Sequence, residues 1–176
     1  MIASIILMAG LLGIAEPEKT VHPFVDKNFG GIVVGESSLP DFEKLHGKGV
    51  SLDHGFQRCY FHPAKNQILL LSLCEDHNLC SIEVSISENS RPPETCEKAH
   101  IDFDPVTGKG IELGVPRDKV LNIYGEPGER EKLDENTIRL GYRTSYEEDP
   151  SVRIFYDVYL IFREEKLIQL YIHHGP

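Results

Sequence analysis

The chain has 176 residues, 40% of them apolar and 26% charged, a globular composition far from that of disordered segments. Its formal net charge of −10 is spread evenly, with 13 acids against 8 bases in residues 1–100 and 15 against 10 in residues 101–176. Without a cluster of Lys and Arg, nucleic acid is excluded as a natural partner, because phosphate binding depends on such clusters.

In chain order, the first feature is residues 2–15, IASIILMAGLLGIA, uncharged and apolar, running directly into Glu16-Pro17-Glu18-Lys19. The stretch has the length of a signal-peptide core and is shorter than the roughly 20 residues that cross a bilayer. Gly13 and Ala15 are small residues suited to cleavage after Ala15. Residues 1–15 are therefore expected to be an export signal, leaving a secreted or periplasmic chain with no membrane span; the competing possibility is a buried first strand or helix.

Next, SSLPDFEKLHG at 37–47 predicts a helix. Ser38 can cap it with Asp41 at the third position, Pro40 is tolerated in the first turn, Phe42 and Leu45 would face inward, and Gly47 ends it. A strand is expected over 55–62, a turn at Pro63–Asn66, and a hairpin over 69–86 pairing Leu73 with Cys80, Leu71 with Ile82 and Leu69 with Val84. Residues 89–104 are polar and carry Pro92-Pro93, as a linker does. Asp102 to Gly108 superficially follows a calcium loop, but the fifth and twelfth positions are Val106 and Leu113, so a turn is expected instead. VPRDKVLNIYG at 115–125 predicts a second helix, with Pro116 in its first turn and Val120, Ile123 and Tyr124 on one face, stopped by Gly125 and Pro127. A strand over 137–146 and a turn at Asp149-Pro150 precede the last hairpin, 157–174. A four-residue turn at Arg163–Lys166 there pairs Ile161 with Ile168, Tyr159 with Leu170 and Asp157 with Ile172.

The chain reads as though written twice. Gly31-Ile-Val-Val-Gly35 recurs as Gly110-Ile-Glu-Leu-Gly114, and each is followed by a short helix ending in Gly and then by a hairpin. The expected fold is α+β, with two tandem repeats at 16–88 and 105–176. Each would have one or two short helices packed on a three- to four-stranded antiparallel sheet.

The run Gly110-x-x-x-Gly114, the helix with Val120 and Ile123, and Tyr124-Gly125-Glu126-Pro127 together resemble the SmpA/OmlA family of outer-membrane-assembly lipoproteins. The related tandem fold is that of the secreted β-lactamase inhibitor protein. The resemblance covers about 65 residues of the second copy and, more faintly, the first. It implies helices on an antiparallel sheet whose free face meets a protein partner. The lipidation Cys of those lipoproteins is missing here, as is Trp, and Lys48-Gly49 stands in the first copy where the second has Glu126-Pro127.

Four cysteines in an exported chain favour disulfides. Cys74 and Cys80 bracket the turn EDHNL, and a bond between them leaves Cys59 with Cys96; a diagonal pairing is also open. The straight register sets Cys74 and Cys80 on opposite faces, so their bond requires a bulge or a five-residue turn. Metal binding by Cys74, His77 and Cys80 is the competing use, against which the Cys-x₅-Cys spacing counts. Glu75 and Asp76 would raise the pKa of a Cys74 thiol, which argues against a nucleophile. Runs such as Glu147-Glu148-Asp149 and Glu164-Glu165 fall at predicted turns, where carboxylates are solvated rather than catalytic.

The second hairpin carries more apolar residues than one face can use. With Ile161, Ile168, Leu170 and Ile172 assigned to the core, Tyr156, Val158, Phe162 and Tyr171 fall on the other face, where polar residues normally stand. Tyr142 belongs with them, and Arg143 supplies a charged rim. That face either packs on the first copy or binds a partner. The resulting expectation is a non-enzymatic protein-binding module, inhibitor-like or assembly-like, with no catalytic residue, metal or cofactor and an unidentified protein partner. The alternative is a small-ligand carrier or enzyme with a cleft between the two repeats.

Overall fold

The computed structural model of the chain describes residues 26–87, 96, 99–149 and 152–175. The expected export signal and much of the 89–104 linker lie outside them.

A small hairpin, β1 (Asn28–Phe29) and β2 (Ile32–Val33), leads into helix α1 (Leu39–His46). Ser38 caps α1 as its sequence demands: its hydroxyl accepts from the Asp41 backbone N–H, and the Asp41 carboxylate accepts from the Ser38 N–H at 3.1 Å. Leu39 and Phe42 are buried, but Leu45, expected to face inward, is 59% exposed. Four strands follow: β3 (Val50–Leu52), β4 (Gln57–His62), β5 (Gln67–Leu73) and β6 (Leu79–Ile86). Helix α2 (Arg117–Tyr124) then precedes β7 (Glu129–Lys132), β8 (Thr137–Asp149), β9 (Val152–Arg163) and β10 (Lys166–Gly175).

These eight strands form one antiparallel sheet in the order β3-β4-β5-β6-β10-β9-β8-β7. The expectation of an α+β protein built from separate helix-on-small-sheet repeats is therefore corrected. The architecture is mostly β, with two eight-residue α-helices among the described residues. What overturns it is the seam between β6 and β10, where Ile82 faces Ile172 and Val84 faces Leu170 in continuous register. Each pair is fully or almost fully buried, so the two halves share one sheet and one core.

Both helices lie on the same side of that sheet. Phe42 of α1 packs on Tyr60 of β4 with ring centroids 5.3 Å apart, and Tyr124 of α2 packs on Tyr142 of β8 at 5.4 Å. The two sheet tyrosines also hold the helix ends. Tyr60 donates its hydroxyl to the carbonyl of Gly47 at 3.1 Å, and Tyr142 donates to that of Gly125 at 3.0 Å. These glycines follow the helices at φ +81° and +78°, a conformation that favours glycine. Gly49 is required for a different reason: a Cβ there would come within 2.6 Å of the Tyr60 ring. Asp26, also buried, accepts from the Tyr124 hydroxyl at 3.0 Å and from the Lys109 N–H at 2.7 Å, fastening the chain before β1 to α2.

Two disulfides are present, Cys59–Cys96 and Cys74–Cys80. The second forms because residues 74–78 make a five-residue connection and the β5–β6 register shifts between Ser72 and Leu73. With Cys74 and Cys80 bonded to each other, neither offers a thiolate to a metal.

Two outcomes follow from this packing. Cys59–Cys96 closes 37 residues and Cys74–Cys80 only 6, so loop entropy assigns about 4 kcal/mol to the first and about 2 kcal/mol to the second. Urea denaturation of the two double-alanine variants should rank them in that order; the reverse order would contradict the loop-closure account. Burial, with the charges of Glu43 and Glu126 nearby, pushes the Tyr60 and Tyr142 phenols up to about 12. In the unfolded chain both titrate near 10. The unfolded state thus sheds protons that the folded state keeps, and stability falls as pH rises from about 10 to about 12. At pH 11 the loss should be about 1 kcal/mol per tyrosine, and Tyr142→Phe should shrink it.

Candidate functional site

The helix-covered face takes one parity of each strand. On β9 it takes Ile154, Tyr156, Val158, Leu160 and Phe162, all buried. The other parity, Phe155, Asp157, Tyr159 and Ile161, stands on the face without helices. This corrects the face assignment made from sequence: Tyr142, Tyr156, Val158 and Phe162 are between 1% and 5% exposed and belong to the core, while Ile161 does not. Tyr171 and Arg143 do lie on the open face, half-buried and exposed respectively.

The cause is one residue. The turn is as tight as predicted, with Arg163 opposite Lys166 and Leu167 opposite Phe162, but a bulge at Ile168 then shifts the ladder. Beyond it, Leu170 faces Leu160 rather than Tyr159, and Ile172 faces Val158 rather than Asp157. A bulge exchanges the faces of everything after it on one strand relative to its partner. A straight register would have put the Asp157 carboxylate beside Ile172 in the core, where a lone charge costs several kcal/mol.

Asp157 instead meets Arg143 across β8 and β9. Arg143 donates from Nε to Oδ1 at 2.5 Å and from Nη2 to Oδ2 at 2.9 Å, a two-pronged pair that fixes the guanidinium plane. The carboxylate is 8% exposed and the guanidinium side chain 48%. The pair thus has one buried partner and one open to solvent. That same carboxylate drives the Arg143 pKa still further above its usual value.

Around this pair the face is aromatic. Arg143 lies over the Phe155 ring at 5.0 Å, and Arg139 over the Tyr159 ring at 5.0 Å, both within cation–π range. Arg139 is also bonded to Glu129 and Glu131 of β7, each at 2.7 Å. Tyr159 stacks with Tyr171 at 6.3 Å, and Tyr171 with His173 at 6.0 Å. Gln169 donates to Glu83 across the seam at 2.8 Å. A cavity of about 330 Å³ opens between Phe155, Arg143, Tyr159 and Glu129. It exists because residue 141 has no side chain: a Cβ there would stand 3.1 Å from that of Glu129 and 3.2 Å from the Tyr159 ring.

Sequence reasoning missed Phe155, Asp157, Tyr159 and Gly141. The signal for them was present, since Phe155-x-Asp157-x-Tyr159 is the parity containing a charge and a glycine's neighbour, whereas the opposite parity is unbroken grease. Chemically the site offers fixed donors and ring faces. Burial, reinforced by the Asp157 charge, raises the Tyr159 phenol, and Arg143 is held protonated.

No protein-family model matches the chain, and no curated protein matches it. Among solved structures, it is similar to a DUF4309 family protein (YjgB) from Bacillus subtilis subsp. subtilis str. 168, at 9% identity and a TM-score of 0.47, over 83% of this chain and 84% of that one.

Removing one partner of the pair strands the other. Arg143→Ala leaves the buried Asp157 carboxylate without its cation and should cost about 1–3 kcal/mol in urea denaturation, unlike most substitutions of half-exposed residues. Arg143→Lys, which keeps the charge but not the two-pronged geometry, should recover part of the loss. An Arg143→Ala variant as stable as the parent would show that the pair does not order this face.

Proposed function

We propose that the chain is an exported, non-enzymatic protein-binding module that recognises its partner through the open face of β8, β9 and β10. The observation that carries this is the set of half-exposed rings on that face, Phe155, Tyr159 and Tyr171, with arginines laid over two of them. Tyr and Arg are the residues that concentrate binding energy at protein interfaces, because each brings large area at small entropic cost. Rings and guanidinium groups already held by their neighbours lose little further freedom on binding. Export is supported by the apolar run at residues 2–15 and by two disulfides, bonds that persist in oxidising compartments.

The cavity beside Gly141 favours a second reading, a small-ligand site, since about 330 Å³ falls at the low end of ligand pockets. The site would then lie on the second half of the sheet. The seam between β6 and β10 occupies the place where a cleft between halves was expected.

The test compares the parent with a Tyr159→Ser/Tyr171→Ser variant as baits in the native secreted or envelope fraction. Both side chains are half-buried, so the variant should fold. A stoichiometric protein captured by the parent should be lost from the variant by about tenfold or more, some 1.4 kcal/mol. Equal capture by both proteins would dismiss this face as the interface, and recovery of a small molecule in place of a protein would favour the second reading.

A further inference from the structure

β8 has 13 residues, but its outer neighbour β7 has four and pairs only with Ile138–Gly141. From Arg143 to Asp149, no strand lies beside the outer edge of β8 among the described residues. In an antiparallel pair, alternate residues aim their N–H and C=O groups away from the partner strand. This stretch therefore presents a row of main-chain donors and acceptors at the sheet margin.

Proteins normally blunt such an edge with charges or bulges, and here both devices stand at its ends. Below it, β7 reads Glu129-Arg130-Glu131-Lys132, exposed throughout. Above it, the register with β9 shifts between Glu147 and Asp149, where the sequence is Glu147-Glu148-Asp149. Between the guards lies Arg143-Thr144-Ser145-Tyr146, without a bulge or proline. The cavity opens onto this same interval: Arg143 and Ser145 line it from β8, and Gly128, just before β7, borders it at the point where β7 leaves the edge.

We infer that the β8 edge from Arg143 to Asp149 accepts an extended segment of a basic partner protein as an added strand, with one apolar side chain of that segment seated in the cavity against Phe155. The inference rests on the protein-binding function proposed above and states how the partner is held. Strand addition divides the work: main-chain hydrogen bonds give affinity, and a pocket for alternate side chains gives selectivity. Charge decides against a second copy as the occupant. Two chains of net charge −10 repel one another. A segment with Lys or Arg complements that net charge and the sequence Glu147-Glu148-Asp149 that closes one end of the edge.

The experiment pans random peptides displayed on phage against the full chain, then follows backbone amide exchange with the selected peptides bound. The expected peptides are extended and basic, with one large apolar residue. They should slow exchange of alternate amides between Arg143 and Asp149 by about tenfold or more. Thr144→Pro and Ser145→Pro supply the internal control, because only one of the two N–H groups points outward. The outward one should fold and lose the peptide, while the other breaks the β8–β9 ladder. Peptides that shift the Tyr159 and Tyr171 ring signals but leave β8 amides unprotected would overturn strand addition and leave the open face as the interface. Failure to select any peptide that acts on either feature would overturn both, and concentration-dependent self-association that protects the same amides would replace the partner segment with a second copy.

Discussion

The sheet is continuous because β6 and β10, the last strands of the two halves, meet in register. Val84 opposite Leu170 and Ile82 opposite Ile172 put four aliphatic side chains in the middle of the sheet, in the same buried cluster as Leu39 and Phe42 of α1 and Val120 and Tyr124 of α2. The same two strands carry Glu83 and Gln169 on the reverse side, bonded to each other at 2.8 Å. A seam that is aliphatic on one side and hydrogen-bonded on the other has only one orientation of low energy, since slipping by one residue would bury Glu83 and expose Ile82. This settles which face is covered. It also makes the join between the halves a paired part of the sheet, with Ile82, Val84, Leu170 and Ile172 all buried.

The helices depend on that choice of face. An eight-residue helix is too short to be stable alone in water, and α1 and α2 persist because each is docked by a ring pair and by a tyrosine hydroxyl on its terminal carbonyl. Removing a hydroxyl from Tyr60 or Tyr142 would therefore act twice, freeing a carbonyl at a helix end and loosening the ring contact. Asp26 adds a third fastening through Tyr124, bringing the segment before β1 into the core. The covered face is thus ordered in part by buried polar groups that bond one another or a helix end, Tyr60, Tyr142, Tyr124 and Asp26, the condition under which such groups rigidify a fold instead of weakening it.

Local elements were legible in the sequence wherever one residue type decides a conformation. Ser38 with Asp41, and the glycines at 47 and 125, placed both helices to within two residues. The pairing of Leu69 with Val84 and Leu71 with Ile82 was legible from alternation, and so was the pairing of the four cysteines as one of the open choices. The single sheet was not, because nothing in the pattern of β6 says that its outer edge joins β10 rather than solvent. The open face was misread for a different reason. Ile168 is a β-branched residue in a strand-like run, with no Gly or Pro to mark a bulge, so alternation was carried straight through it. A charge was the available warning: an ordinary register leaves Asp157 beside Ile172, and moving the bulge into the strand is what frees it.

That displacement also explains how an acidic chain comes to have arginine-rich ground. Arg139 and Arg143 on β8 and Arg153 and Arg163 on β9 all share the parity of Asp157, so the bulge that sends Asp157 outward leaves all four guanidinium groups on the open face. Had the faces been reversed, four cations would have needed partners in the core, and Val158, Leu160 and Phe162 would have met water. Arginine suits the outcome better than lysine, since its planar group can bond a carboxylate edgewise and cover a ring with its face at once, as Arg139 and Arg143 both do. Charges neutralised in this way do not draw in any anion indiscriminately. They leave a surface of guanidinium planes and aromatic rings, each held by its neighbours.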